Sequence, residues 1–171
     1  MKTPVIGIAG WSGSGKTTLL EYVLPCLAVQ GLRVNVIKHT HHVPALDAAD
    51  KDSYRLHAAG AADVLLAASC DGEQPDLNSL LLRQQPADLT VVEGFKNAPI
   101  PKLEIYRADL GEPPLYLYDT NVIAVATDVP PPSVLRRRLI WLDIHQPAQV
   151  LSWLQMYIGM QIRSVPQIVL L

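Results

Sequence analysis

The stretch Val5-Ile6-Gly7-Ile8-Ala9-Gly10-Trp11-Ser12-Gly13-Ser14-Gly15-Lys16-Thr17-Thr18 decides the fold. Val5 to Ala9 is a short apolar run without alternation, as expected of a strand buried on both faces. Gly10 to Thr17 matches the phosphate-loop pattern GxxxxGK[ST] in full, and a helical pattern opens at Lys16. The residue types follow from a polyphosphate ligand. Gly10, Gly13 and Gly15 let the main chain curl until successive N–H groups of the loop, Ser12 and Ser14 among them, point at phosphate oxygens, and the helix N-terminus adds partial positive charge. Lys16 brings a full charge to the β and γ phosphates, Thr17 offers a hydroxyl to Mg²⁺, and Thr18 is a weaker candidate for the α phosphate. Trp11 reads as an apolar lid or contact surface rather than a base reader.

Working outward, the first helix runs from Lys16 to about Gln30, with Leu19, Leu20, Val23, Leu24 and Leu27 as its apolar stripe, a possible kink at Pro25 and Gly31 at its end. Arg33 to Lys38 is a second inner strand, and His39 to Asp52 a long loop of the kind that is often functional. Ser53 is placed to cap a short helix ending near Gly60, and Val64 to Ala68 returns to a strand. Asp76 to Gln85 is an amphipathic helix stopped before Pro86, followed by a buried strand at Leu89 to Val92. Lys102 to Arg107 alternates, which predicts a strand with one wetter face near a sheet edge. Val122 to Ala126 is another buried strand and Leu139 to Leu142 the last. Pro147 starts a helix with Val150, Leu151, Leu154 and Ile158 inward. Strands alternating with helices predict a three-layer α/β P-loop NTPase fold with a mainly parallel sheet, as one domain over residues 1–171. Ligands of such sheets bind at the carboxyl ends of the strands, here just after Ala9, Lys38, Val92 and Ala126.

Polar residues gather at those ends. Glu93 closes the Leu89 strand as the acid that holds Mg²⁺ directly or through water, and Gly94 lets the backbone pass close to a γ phosphate. Lys38-His39-Thr40-His41-His42 starts where the second strand stops. Zn sites need three or four converging ligands, whereas an extended segment puts His39 and His41 on one face and His42 on the other. His39 and His41 read instead as a polar wall beside the phosphates, able to donate hydrogen bonds or carry a proton. Asp52 is placed either to orient an attacking water or reach Mg²⁺, or simply to cap the next helix. Asp128 ends a late buried strand, where a carboxylate accepts from the N1–H and 2-amino groups of guanine; adenine offers neither. The Asn-Lys that usually precedes such an acid is absent.

Composition narrows the function further. The 171 residues carry a net charge of −2, giving no broad electrostatic footprint for nucleic acid. With 49% hydrophobic and 18% charged residues the chain can bury a sizeable core. Cys26 and Cys70 stand alone, as small buried residues in a reducing compartment. Neither a signal peptide nor an apolar run of membrane-spanning length is visible, so a cytoplasmic protein without membrane attachment is expected. Arg136 to Arg138 after Pro130 to Pro132 reads as a solvated basic face.

The blocks GWSGSGKTTL, IKHTHH, KDSYRLHAAGA, VVEGFK and AVATD, spread over Gly10 to Asp128, resemble the MobB family of molybdopterin-guanine dinucleotide biosynthesis adaptors. The resemblance implies a GTP-binding P-loop protein, usually homodimeric, with weak intrinsic GTP hydrolysis and a helper role beside the guanylyltransferase that joins GMP to molybdopterin. Carried onto this chain, it supports Gly13 to Thr17 for phosphate, Thr17 and Glu93 for Mg²⁺, and Asp128 near the base. Slow turnover is also expected because no arginine finger or glutamine stands beside the motif. Two rival readings use the same cradle: a small-molecule kinase using ATP or GTP with Asp52 as base, and a scaffold whose nucleotide is structural.

Overall fold

In the computed structural model, residues 3–40, 53–69, 75–135 and 137–163 are described. The strands are β1 (Val5–Ala9), β2 (Val34–Thr40), β3 (Asp63–Ala68), β4 (Leu89–Glu93), β5 (Lys102–Tyr106), β6 (Val122–Thr127) and β7 (Ile140–Asp143). The helices are α1 (Lys16–Val29), α2 over residues 53–58, α3 (Leu77–Arg83) and α4 (Pro147–Arg163). The strands form one sheet in the order β3-β2-β4-β1-β5-β6-β7, with every pairing parallel. β1 therefore lies at the centre, between β4 and β5.

Alternation within the strands assigns the two faces. Ile6 and Ile8 of β1 join Val34, Val36, Leu89, Val91, Leu103 and Ile105 in a core shared with the inner stripes of α1 and α4. Leu20, Val23, Leu24 and Leu27 come from α1, and Val150, Trp153, Leu154 and Ile158 from α4. On the other face Ile37 and Val92 pack with Leu77 and Leu80 of α3 and with Phe95, while Ala9, Val122 and Val125 meet Leu115 and Tyr116. The result is the expected three-layer arrangement, with apolar strands buried on both sides. Pro25 sits inside α1, which continues through it to the Gln30 cap. Asp76 caps α3, its carboxylate accepting from the Asn78 and Ser79 N–H groups.

Several expectations are corrected. β5 is an interior strand, between β1 and β6, and its polar residues are inside: Lys102 is 1% and Glu104 0% exposed. Each is buried with partners, which is the condition for polar groups in a core. Lys102 crosses Gly7, where a Cβ would lie 3.0 Å from its Cγ, and donates to the Ala98 carbonyl at 2.7 Å and to Asp119 at 2.6 Å. Glu104 accepts the N–H groups of Leu115 at 2.6 Å and Tyr116 at 2.8 Å; burial raises its carboxyl above the ordinary range while these bonds pull it down.

Arg137 is likewise no member of a solvated face, because it donates to the main-chain carbonyls of Tyr116, Asp119, Thr120 and Val122. Ser53 lies within the helical residues rather than capping them, and Cys26 is half-buried rather than enclosed. β2 extends through His39 and Thr40, so the loop begins later than its composition suggests. His41, His42, Asp52, Cys70 and Arg136 lie outside the described residues. Within the described residues, no helix is long and apolar enough to cross a membrane.

Candidate functional site

The glycine loop leaves the carboxyl end of β1 and enters α1 through Gly15, whose φ of 97° is left-handed. Gly10 has φ of 142°, and a Cβ there would collide with the Ile105 carbonyl oxygen and come within 2.8 Å of Ser14 Oγ. Only glycine fits where the loop turns tightly against β5. Ser14 is fully buried beneath the curl. Lys16 folds back across the loop, its Nζ donating to the Gly10 carbonyl at 3.1 Å and to the Trp11 carbonyl at 2.9 Å. Thr17 and Thr18 occupy the first turn of α1, Thr18 exposed and Thr17 partly so.

Beside this loop the ends of β2 and β4 complete a cavity of about 280 Å³, lined by Gly10, Ser12, Lys16, His39, Glu93, Gly94 and Lys96 among others. Parallel register accounts for the gathering. Ile8 of β1 and Lys38 of β2 both lie opposite Glu93 in β4, so the three strands end together. Glu93 is 7% exposed, and Lys38 Nζ approaches its Oε2 to 3.8 Å. Burial lowers the pKa of Lys16 below the ordinary lysine range; Glu93 pulls it back up, while Lys96 and Lys38 push it down. Lys16 and Lys96 line the cavity with Glu93, and Lys38 stands beside that carboxylate from the neighbouring strand, a concentration of positive charge suited to a polyanion.

Gly94, with φ of 92°, makes its close approach to protein: a Cβ would lie 2.9 Å from the His39 carbonyl oxygen. His39 is buried, its Nε2 hydrogen-bonded to Ser69 Oγ at 2.9 Å and its ring 5.1 Å from that of Phe95. Trp11 donates through Nε1 to the Pro113 carbonyl at 2.8 Å and carries Lys96 Nζ at 4.0 Å from its ring centre. Among the described residues, no group of three His, Cys, Asp or Glu is placed to hold a metal ion. The oxygen donors of Thr17 and Glu93 are the hard ligands that suit Mg²⁺ once phosphate oxygens and waters fill the other positions.

Asp128 stands apart from that cavity, on the far side of the loop at the end of β6. Its Oδ1 accepts from the Ala108 N–H at 3.3 Å and its Oδ2 lies 3.9 Å from Arg107 Nη1. Arg107 also donates from Nε to the Ser14 carbonyl at 3.2 Å. Lys96 and Arg107 were not singled out by sequence reasoning. Both directly follow a parallel strand or its turn, the part of such a sheet where ligand groups collect, and that position is the signal that points to them.

The sheet order, the parallel strands and the glycine loop between β1 and α1 define the class as the P-loop NTPase fold. The family model described as MobB, Molybdopterin guanine dinucleotide synthesis protein B, matches residues 5–128, and the chain belongs to that family. A molybdopterin-guanine dinucleotide biosynthesis adapter protein of Escherichia coli (strain K12) is 40% identical over 168 residues, covering 89% of this chain and 94% of the relative. A counterpart of the same description from Haemophilus influenzae is 42% identical over 161 residues, covering 89% and 88%. The crystal structure of Bacillus subtilis MobB superimposes with a TM-score of 0.59 at 29% identity, over 89% of this chain and 96% of that one. The family places the chain in molybdopterin guanine dinucleotide biosynthesis as an adapter.

Proposed function

We propose that this adapter binds GTP with Mg²⁺ and hydrolyses it slowly. The observation that supports the reading best is the cavity at the ends of β1, β2 and β4, where Lys16 and Lys96 share the lining with Glu93 next to the glycine loop, and Lys38 stands 3.8 Å from that carboxylate. Polyphosphate entering it meets the N–H groups of Gly13 to Thr17, and Lys16 exchanges the Gly10 and Trp11 carbonyls for β and γ oxygens. Mg²⁺ bound by Thr17 and, directly or through water, by Glu93 would neutralise charge as the β–γ bond breaks. His39 forms the polar wall of the cavity, and His41 and Asp52 are proposed from sequence to join it. Asp128 reads the guanine edge.

Among the described residues Lys16 is the side chain proposed to meet charge on the β and γ phosphates, which suits slow turnover in a protein that presents nucleotide rather than consumes it. In this reading the chain works as a cytoplasmic homodimer beside the guanylyltransferase that joins GMP to molybdopterin. The test is steady-state phosphate release from GTP, run with Mg²⁺, with chelator, and with Lys16→Ala. Release that needs both Mg²⁺ and Lys16 supports the proposal. Release unaffected by Lys16→Ala refutes the site, and phosphate transfer from nucleotide to an added alcohol in place of release would make the chain a kinase.

A further inference from the structure

One guanidinium links the two halves of the site. Register pairs Tyr106 of β5 with Thr127 of β6, so the next residues along, Arg107 and Asp128, leave the sheet side by side. Arg107 Nε holds the Ser14 carbonyl of the phosphate loop at 3.2 Å, and its Nη1 stands 3.9 Å from the Asp128 carboxylate. The side chain remains about one-third exposed, at 32%, where Lys102 on the same strand is sealed. The backbone around it touches the same two regions: the Ala108 N–H donates to Asp128, and the Ile105 carbonyl lies against Gly10 of the glycine loop.

We propose that Arg107 is the platform on which the nucleotide base lies, supplying from a neighbouring strand the cation that the sequence immediately before Asp128 lacks. The inference rests on the nucleotide reading above and deepens it. A base whose polar edge reaches Asp128 while its phosphates occupy the loop must cross the space between Ser14 and Asp128, which Arg107 spans. A guanidinium is planar and weakly hydrated, so it can stack on an aromatic ring while its Nε–H holds the Ser14 carbonyl and its charge stays beside the Asp128 carboxylate. Its nearness to Asp128, together with the Ala108 N–H, orients the carboxylate before any ligand arrives, leaving lone pairs for the guanine N1–H and 2-amino donors.

The test compares ligands that contain a base with one that does not. Non-hydrolysable GTP and ATP analogues and inorganic tripolyphosphate are titrated into the parent chain, Arg107→Ala and Arg107→Lys, after equal melting temperatures have shown that the variants fold. Arg107→Ala is expected to weaken GTP-analogue binding by about tenfold, the scale of a stacked cation on an aromatic ring. Tripolyphosphate affinity should change by less than about twofold, and Arg107→Lys should restore part of the loss, because an ammonium keeps the charge without the plane. Equal losses for the GTP analogue and tripolyphosphate would reduce Arg107 to a brace for the loop and overturn the proposal, as would no loss for either. If the variant cannot fold, Arg107→Gln, which keeps an N–H for Ser14, carries the same comparison. A parent chain that binds GTP and ATP analogues equally would refute guanine reading by Asp128, while the gap between nucleotide and tripolyphosphate still decides for or against the platform.

Discussion

Lys38 and Glu93 face each other across the β2–β4 ladder, and their side chains approach to 3.8 Å where Glu93 lines the cavity beside the glycine loop. Glu93 thus has a cation beside it from the neighbouring strand, and the same carboxylate pulls the Lys16 pKa up against the larger lowering by burial. Strand register thus fixes the spacing of the acid and Lys38.

Glu93→Gln should separate these roles. Loss of the carboxylate removes the influence that raises the Lys16 pKa, while burial, Lys96 and Lys38 continue to lower it. Tripolyphosphate binding, which needs the charged ammonium, is then expected to fade at a lower pH in the variant than in the parent. The enhancement of nucleotide affinity by Mg²⁺ should shrink at least about tenfold if Glu93 serves the metal. Calorimetric titrations across an alkaline pH series, with and without Mg²⁺, read both effects.

Gly10→Ala places a methyl group against the Ile105 carbonyl at a φ of 142°, where the backbone has no room to yield without moving β5. The expected cost is about 3 kcal/mol of stability, from strain and overpacking together. Denaturant melts give the cost, and phosphate binding should be lost in parallel.

Asp119 is the charge partner of the buried Lys102. Burial alone would raise its pKa, but the bonds from Lys102 and Asn121 outweigh it and hold the carboxyl below the ordinary range. A depressed carboxylate contributes stability that is complete above its unfolded pKa and is lost as pH falls through the folded one. Asp119→Ala should cost about 3 kcal/mol near neutral pH, since it strands a buried ammonium, and should flatten the acid limb of the stability profile. Urea melts from pH 7 to pH 2 report both.

Arg137→Ala leaves the carbonyls of Tyr116, Asp119, Thr120 and Val122 without their shared donor. The first three lie in the segment that covers Ala9 and Val125, Val122 opens β6 beneath it, and Glu104 holds the N–H groups of Leu115 and Tyr116 in the same segment. A loss of about 3 kcal/mol is expected. Protease cleavage between residues 107 and 121 should accelerate with it, measurable by limited digestion and mass spectrometry.

The centre of the fold was legible because β1, the glycine loop and α1 are contiguous and each has its own local signal. Glu93 was legible for a similar reason, as an acid ending an apolar run. β5 was misread as a wetter, edge strand because Lys102 and Glu104 imitate a solvated face, and what satisfies them, Asp119 and the N–H groups of Leu115 and Tyr116, lies outside the strand. Arg137 was misread because tripled arginines look alike until one finds carbonyls to hold. Arg107 escaped notice because its partners, Ser14 and Asp128, are joined only by strand register.

The most direct test of the central claim is calorimetric titration of the purified chain with non-hydrolysable GTP and ATP analogues, each with and without Mg²⁺. Guanine binding that is at least about tenfold tighter than adenine binding, and tighter again with Mg²⁺, is the expected result. Equal or tighter binding of the ATP analogue would contradict it and leave Asp128 as a strand-end acid paired with Arg107.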